Sequence, residues 1–245
     1  MQNYEGSFRS LEDVVAKLKY ALDHKKGLSL VRCGDGEAFS MGYELVPNYL
    51  HIIKQYDYAG VPAVSPNIKK SLLKSLQLAD IVGLSDNRSV FLCAPLLEQI
   101  LLRHGINLPF ICNARINWDL HGNGRGPLYS LLKGKRVLVV GRLAKQATPK
   151  FRSIGLKVVK ALSLEGFNQL SSVYNVIKSY SRGFDVALVA AGVPAVPLCV
   201  RIARECGKVA IDFGHAINDL LTPGFNEGQL KDTTEAWRKK YKGLK

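Results

Sequence analysis

The sequence predicts an α/β fold: a doubly wound, mostly parallel, Rossmann-like sheet in a single domain that spans residues 1–245. Short apolar runs without polar alternation are typical of strands that are buried on both faces of a sheet. Segments of about 10 to 15 residues with helical spacing alternate with these runs, and such alternation is typical of βαβ units. We find no linker composition or internal repeat that would divide the chain.

The first elements follow from capping signals and apolar spacing. Residues 1–27 are predicted to contain one helix, which begins after Ser10 and ends before the basic stop at 25–27. A strand over 28–31 follows it. Prolines and glycines interrupt the next segment, where we expect a helix within 42–55. The spacing then predicts helices over 67–79 and 95–104, and strands over 80–84 and 109–112.

The segment 113–127, NARINWDLHGNGRGP, is polar and contains three glycines. It is long for a connection within a compact domain, and long loops are often functional lids. We therefore predict a loop here.

The second half of the chain continues the alternation. Strands are predicted over 137–140, 156–161, 185–190 and 209–213, and helices over 167–180, 195–206 and from 215 to 221. Residues 222–245 form a basic C-terminal tail, for which we expect a surface helix with a frayed end. That tail could contact a membrane surface or an acidic glycan, but we favour a solvated helix end as the explanation of its charge.

Composition limits the classes of function. The chain has 34 Lys and Arg against 20 Asp and Glu, a formal net charge of +14 that favours anionic partners. It lacks a long apolar span and a signal-peptide pattern, so we expect a cytoplasmic protein. It has no zinc-finger, zipper or RNA-binding consensus, which argues against specific nucleic-acid binding. Five scattered cysteines predict reduced, buried thiols.

The acidic turn after the first strand is the main candidate site. In parallel sheets, ligands bind at the carboxyl ends of strands. Gly34 and Gly36 permit a tight turn there, and the carboxylates of Asp35 and Glu37 could converge on one divalent cation. The alternative is that Asp35 caps a helix and Glu37 supports its first turn.

Other strand ends supply cationic and small residues. Arg32 and Arg142 are candidate phosphate ligands, because guanidinium groups bind phosphate through paired hydrogen bonds. Gly141 and Gly192 could let a nucleotide approach the backbone, or could simply relieve crowding at a turn. The sequence has no full dinucleotide fingerprint, Walker A motif or nucleophile elbow.

Asp212 and His215 lie at the end of the last predicted strand. A carboxylate and an imidazole three residues apart could both face the crevice, where one binds the substrate and the other moves a proton. A capped helix is the structural alternative for Asp212. The remaining histidines, at 24, 51, 104 and 121, are interpreted as surface or helix-end residues.

Two of these stretches together resemble a known family. RCGDGE at 32–37 resembles the R-x-G-D-G-E signature of GT-D-type glycosyltransferases, and AIDFGHAIND at 210–219 is similar to their D-x-G-H segment. VLVVGR at 137–142 and LVAAGVPA at 188–195 are similar to the internal strand-to-glycine turns of that family. The resemblance implies a GT-D fold and a metal-dependent transferase, with Asp35 and Glu37 as its D-x-E metal element.

The resulting prediction is a glycosyltransferase, and a hexosyltransferase in particular, that uses Mn²⁺ or Mg²⁺. Its donor would be a nucleotide-diphosphate sugar such as a UDP-sugar, and its acceptor a hydroxyl of a glycan, glycoprotein or glycolipid. Asp212 or His215 is the expected base, although either could instead hold the donor; a residue of the glycine-rich segment 113–127 is the remaining alternative for the base. Two alternatives stay open at this point: another metal-dependent nucleotide or phosphoryl-group enzyme, and a non-catalytic nucleotide- or polyanion-binding module.

Overall fold

A computed structural model describes residues 7–45, 60–61, 65–86 and 93–222. Within these residues, seven parallel strands form one sheet in the order β3-β2-β1-β7-β6-β4-β5. The strands are Leu28–Cys33 (β1), Ile81–Leu84 (β2), Ile111–Asn113 (β3), Arg136–Gly141 (β4), Lys157–Leu162 (β5), Val186–Ala190 (β6) and Val209–Asp212 (β7). The predicted parallel, doubly wound sheet is therefore confirmed.

Helices connect the strands and cover both faces of the sheet. They are Leu11–Asp23 (α1), Asp35–Gly42 (α2), Pro66–Leu78 (α3), Cys93–Arg103 (α4), Ile116–His121 (α5), Pro127–Leu132 (α6), Ala144–Ser153 (α7), Leu170–Ser179 (α8), Ala195–Cys206 (α9) and Ala216–Leu221 (α10). Strand order reverses between β1, which continues to β2 on one side, and β7, which lies on the other. Such a reversal opens a crevice at the carboxyl ends of the two strands.

Alternate side chains of each strand divide the core into two layers. In β1, Val31 and Cys33 face a layer covered by α2, α3, α4, α8 and α9. Leu28 and Leu30 face the opposite layer, which α1, α5, α6, α7 and α10 cover. Because helices cover both faces of the sheet, its strands consist largely of continuous apolar runs, as the sequence indicates.

The predicted loop over 113–127 is wrong. Most of this segment folds into α5, a 3₁₀ turn at Gly122–Gly124 and the start of α6. Ile116 and Leu120 are buried under the sheet, at 3% and 0% exposure. The polar residues and glycines of this segment obscure the pattern of a short amphipathic helix. Gly122 ends that helix as the C-cap of α5, with a left-handed φ of 49°.

Two further helices were not predicted. The acidic turn continues directly into α2, and α7 forms despite Pro149 in its interior. Packing of the buried face of α7, including Phe151, outweighs that weak local propensity. The helix expected within 42–55 lies, beyond Leu45, outside the described residues, as does the tail from residue 223.

Two composition-based expectations concern the whole fold. No helix in the described residues is long and apolar enough to cross a membrane. All five cysteines are free thiols, and four of them are buried. The expectation of reduced, mostly buried cysteines is thus confirmed.

Candidate active site

The acidic turn begins a helix at the carboxyl end of β1. Asp35 is the first residue of α2, and the Glu37 Oε2 accepts a hydrogen bond of 2.9 Å from the backbone N–H of Gly34. The helix-start alternative for Glu37 is therefore present in the geometry. In this arrangement, the side chains of Glu37 and Asp35 both lie at the carboxyl-end edge of the sheet.

Glu37 lies in an environment that disfavours negative charge. Burial, followed by the neighbouring carboxylate of Asp212, raises the pKa of Glu37 to about 7, and Asp35 adds to the effect. The Gly34 N–H and the Arg32 guanidinium act in the opposite direction. Glu37 is thus influenced by two other carboxylates and one arginine, so an additional cation near it would be favourable.

Arg32 extends from the end of β1 across the crevice. Its Nη2 donates to Asp212 Oδ1 at 3.3 Å, and its Nη1 donates to Asn117 Oδ1 at 3.2 Å and to the Ala114 carbonyl at 3.3 Å. The Arg32 side chain stays 20% exposed, whereas that of Asp212 is 3% exposed. Asp212 and Asn117 therefore fix the guanidinium from below while one side of it faces the crevice.

Gly214 provides the space that the guanidinium occupies. A Cβ on residue 214 would lie 1.8 Å from Arg32 Nη2, and the glycine adopts a φ of 46°. Both the position and the backbone conformation thus require glycine here. The Gly-His turn consequently sets the orientation of Arg32.

Asn117 connects this site to the segment that was predicted to be a loop. It is fully buried in α5, and its Nδ2 donates to the Phe213 carbonyl at 3.1 Å. The same amide accepts from Arg32 through its oxygen. The α5 helix therefore packs beneath the site and joins the ends of β1 and β7.

One cavity of about 310 Å³ lies above these residues. Its volume is at the lower end of the range for small-molecule sites. Eight of the ten predicted site residues line it: Arg32, Gly34, Asp35, Gly36, Glu37, Arg142, Gly192 and His215. The sheet thus brings together residues from the ends of β1, β4, β6 and β7.

The other two predicted residues lie next to the cavity without lining it. Asp212 is buried beneath the cavity and is paired with Arg32. Burial raises the pKa of Asp212, and the pairing with Arg32 opposes that rise. A Cβ on Gly141 would lie 2.1 Å from the Ala190 carbonyl, with φ at 145°. The close approach of β4 and β6 therefore explains this glycine without a ligand.

His215 is the N-cap of α10 and opens onto the cavity. Desolvation by the surrounding protein lowers the pKa of His215, and the positive charges of Arg32 and Arg142 lower it further. Asp35 acts in the opposite direction. A neutral imidazole that faces a cavity can accept a proton.

Sequence reasoning missed several residues of the site. Glu165 and Asn218 line the cavity, and Gly214 and Asn117 hold Arg32. Glu165 follows β5, so the rule that ligands bind at strand ends could have found it. Asn117 could not have been found in this way, because its role depends on a helix that the sequence disguises.

His121 is a helix-end residue, as interpreted, because it is the last residue of α5, but it does not lie on the surface. Its side chain is 1% exposed, its Nδ1 contacts the Tyr129 hydroxyl, and its Nε2 lies 2.9 Å from Asp219 Oδ2. Burial lowers the pKa of His121, and the hydrogen bond and the charge of Asp219 oppose this. The ring links α5, α6 and α10, the last of which carries His215 at its start.

A family model described as a GT-D fold-like domain matches residues 9–220. The chain belongs to the GT-D-like family. The match contains every predicted site residue, and it confirms the resemblance that the two sequence stretches carry.

Three solved structures share the fold of this GT-D-like chain. A glycosyltransferase from Streptococcus sanguinis is 18% identical, with a TM-score of 0.60 over 91% of this chain and 85% of its own. A structure of the domain of unknown function 1792, described as a distinct glycosyltransferase fold, is 17% identical, with a TM-score of 0.55 over 89% and 80%. A selenomethionine structure of that domain is 16% identical, with a TM-score of 0.56 over 91% and 86%.

These likenesses confirm the predicted GT-D fold and, with the family match, support the prediction of a glycosyltransferase. A search of curated proteins finds no match.

The resemblance to GT-D enzymes implies a divalent cation, and the donor set of this chain fits one. Among the described residues, no group of three or more His, Cys, Asp or Glu side chains is arranged to hold a metal. Mg²⁺, however, is commonly bound by one or two carboxylates together with substrate phosphates, and Mn²⁺ also prefers carboxylate oxygen. Asp35 and Glu37 at the cavity supply that pair. Burial is the main cause of the raised pKa of Glu37, and the charges of Asp212 and Asp35, which a cation would offset, add to it.

Proposed function

We propose that this GT-D-like chain transfers a sugar, a hexose in particular, from a nucleotide-diphosphate sugar such as a UDP-sugar to an acceptor hydroxyl of a glycan, glycoprotein or glycolipid. The observation that carries the proposal is the pairing of opposite charges around one cavity. Asp35 and Glu37 lie at the end of β1, and Arg32 and Arg142 line the same space. A diphosphate held by a divalent cation and two arginines requires this combination.

Asp35 and Glu37 would hold Mn²⁺ or Mg²⁺. When bound, the ion neutralises charge on the diphosphate leaving group as a Lewis acid. Glu37 is fixed for this by its bond to the Gly34 N–H, which sets the side-chain rotamer before any substrate arrives. Such preorganisation lowers the cost of assembling the site.

Arg32 and Arg142 would bind the phosphates from the other side of the cavity. Arg32 is held in place by Asp212, Asn117 and the Ala114 carbonyl, so it can stabilise developing charge without reorganising. Arg142 is exposed at the end of β4, and it would close on the diphosphate when the donor binds.

Gly34, Gly36 and Gly192 line the cavity and carry no side chain that would separate a ligand from the backbone. Gly192 has a φ of 63° in the turn after β6, a conformation that favours glycine. We propose that the donor lies against these three positions. Gly141 would contribute by allowing β4 and β6 to approach each other beneath the site.

His215, rather than Asp212, would accept the proton of the acceptor hydroxyl. His215 lines the cavity, whereas Asp212 is buried and bonded to Arg32. A base must reach the hydroxyl it deprotonates, so accessibility decides between the two. Asp212 would then act as a positioning residue for Arg32.

A screen of nucleotide sugars with Mn²⁺ or Mg²⁺, read by release of free nucleoside diphosphate, tests the proposal. We expect hydrolysis of one donor class, lost in Asp35→Asn/Glu37→Gln and retained in Glu12→Gln/Asp23→Asn, which changes two exposed carboxylates of α1. Turnover that survives in the first variant would contradict the metal assignment. Absence of turnover together with absence of any thermal shift by UDP and Mn²⁺ would contradict the transferase proposal itself.

A further inference from the structure

A second cavity, of about 510 Å³, lies at the opposite end of the sheet from the candidate active site. It opens at the amino ends of β4 and β7, beside Arg136 and Val209. Since β4 runs from Arg136 to Gly141, the two cavities are separated by the length of that strand, on the order of 16 Å. A ligand here would not contact Arg32 or Arg142.

Six basic residues line this cavity: Lys25, Lys26, Lys135, Arg136, Arg182 and Lys208. They come from four separate connections in the chain, each of which leads into a buried strand. The tertiary structure therefore brings together basic side chains that are far apart in the sequence. A solvated run of lysines on one helix face would not produce such a concave cluster.

Carboxylates compensate little of this charge. Asp185 is the one acidic residue in the lining, and it is already bonded to Arg136, from Nη2 to Oδ1 at 2.7 Å and from Nε to Oδ2 at 3.1 Å. Asp23 lies close enough to Lys135 for that charge to lower its pKa, but it pairs with Lys19. The cluster therefore keeps a positive excess.

Four of the cations form no ion pair with a carboxylate within the described residues, although the charge of Lys208 helps to lower the pKa of Asp185. The ion pairs and side-chain hydrogen bonds there do not involve the side chains of Lys25, Lys135, Arg182 or Lys208. Lys135 and Lys208 are also partly buried, which increases the cost of like charges that face each other. Some cations elsewhere pair with neighbouring acids, as Lys69 does with Glu44 and Arg204 with Asp80.

We infer that this cavity, named here the basic cavity, binds an anion with two or more phosphate groups. Lysine and arginine donate charge-assisted hydrogen bonds to phosphate oxygens, and a multiply charged ligand would offset several of the unpaired cations together. The anion could be a free polyphosphate or a phosphorylated lipid headgroup. The inference does not depend on sugar transfer, because the active-site cavity lies at the other end of the strands.

Isothermal titration with inorganic tripolyphosphate in EDTA, at about 50 mM salt, tests the free-anion source, because weak screening preserves the attraction. We expect Lys135→Gln/Lys208→Gln to raise Kd about tenfold or more, since each lost charge-assisted hydrogen bond weakens binding severalfold. The matched control, Lys70→Gln/Lys74→Gln, removes two exposed charges of α3 and should change Kd less than twofold. A third variant, Arg142→Gln, distinguishes this cavity from the active site and should leave Kd unchanged.

Flotation with phosphatidylcholine vesicles that contain phosphatidylinositol bisphosphate, whose headgroup carries three phosphate groups, tests the lipid source. Vesicle binding that Lys135→Gln/Lys208→Gln abolishes, without tripolyphosphate binding, would assign the cavity to a lipid headgroup. Failure to bind either probe would overturn the inference. So would binding that falls equally in the Lys70→Gln/Lys74→Gln control, or that Arg142→Gln alone removes.

Discussion

Gly214 leaves the space in which the Arg32 guanidinium lies, since a Cβ at 214 would come within 1.8 Å of Nη2. Arg32 is the penultimate residue of the first strand and Gly214 follows the last strand, so 182 positions of sequence separate two groups in direct contact. The Gly-His turn is therefore part of the arginine site. Asp212, two residues earlier, accepts a hydrogen bond from the same Nη2.

Gly214→Ala should displace Arg32 and strain the turn. We expect a loss of about 1 to 3 kcal/mol in the free energy of unfolding, because alanine at positive φ is strained and the methyl group clashes. The variant should also lower kcat/KM at least tenfold. Gly105→Ala is the matched control, with a φ of 59° and no atom within 4 Å of the added Cβ. Equal activity in the two variants would show that Arg32 does not need this space.

Asn117→Ala should uncouple α5 from the site. It removes an acceptor for Arg32 and the donor to the Phe213 carbonyl, so unfolding free energy should fall by about 1 to 3 kcal/mol. Binding of UDP with Mn²⁺, measured by titration, should weaken as Arg32 loses its position. Asn67→Ala, at an exposed position of α3, serves as the control. Unchanged nucleotide affinity in Asn117→Ala would mean that Asp212 and the Ala114 carbonyl suffice to hold the guanidinium.

Glu37→Gln should stabilise the metal-free protein while it weakens metal binding. The folded pKa of Glu37 is about 7, above its ordinary value of 4.5, so the ionised side chain costs stability once the pH rises above 4.5. In EDTA at pH 8, urea unfolding should show a gain of up to about 3 kcal/mol. The thermal shift caused by Mn²⁺ should shrink in the same variant. A destabilised variant in EDTA would indicate that the neutral amide cannot replace the bond to Gly34.

His121 should make stability fall at mildly acidic pH. Its folded pKa lies below the unfolded value of about 6.5, so the unfolded state binds the proton first as the pH falls through that value. Urea unfolding at pH 8 and pH 5.5 should show a larger decrease for the wild type than for His121→Gln. His104→Gln, an exposed control, should follow the wild type. A pH-dependent loss that persists in His121→Gln would assign it to other groups.

The local sequence determined the order and type of most elements. β6 is apolar throughout, and β4 is apolar after its first residue, Arg136. The helix over 195–206 has the predicted bounds, because its apolar spacing and the glycine after it agree. The segment 113–127 is the counterexample: its apolar residues are few, and only packing beneath the sheet makes them a helix.

The candidate site divides in the same way. RCGDGE and the Gly-His segment were recognisable because each lies within a few consecutive residues at a strand end, and parallel strands place their carboxyl ends at one edge. The sequence by itself therefore indicated the fold class, the family resemblance, and Asp35, Glu37, Arg32 and Arg142 as cavity residues, but not Glu165. Only the tertiary structure decided that Asp212 lies beneath Arg32 and that Asn117 and Gly214 position the Arg32 guanidinium. It also decided that residues from four connections line the basic cavity. Those relationships join residues far apart in the chain, and the packing of helices on the sheet, rather than local propensity, sets their distances.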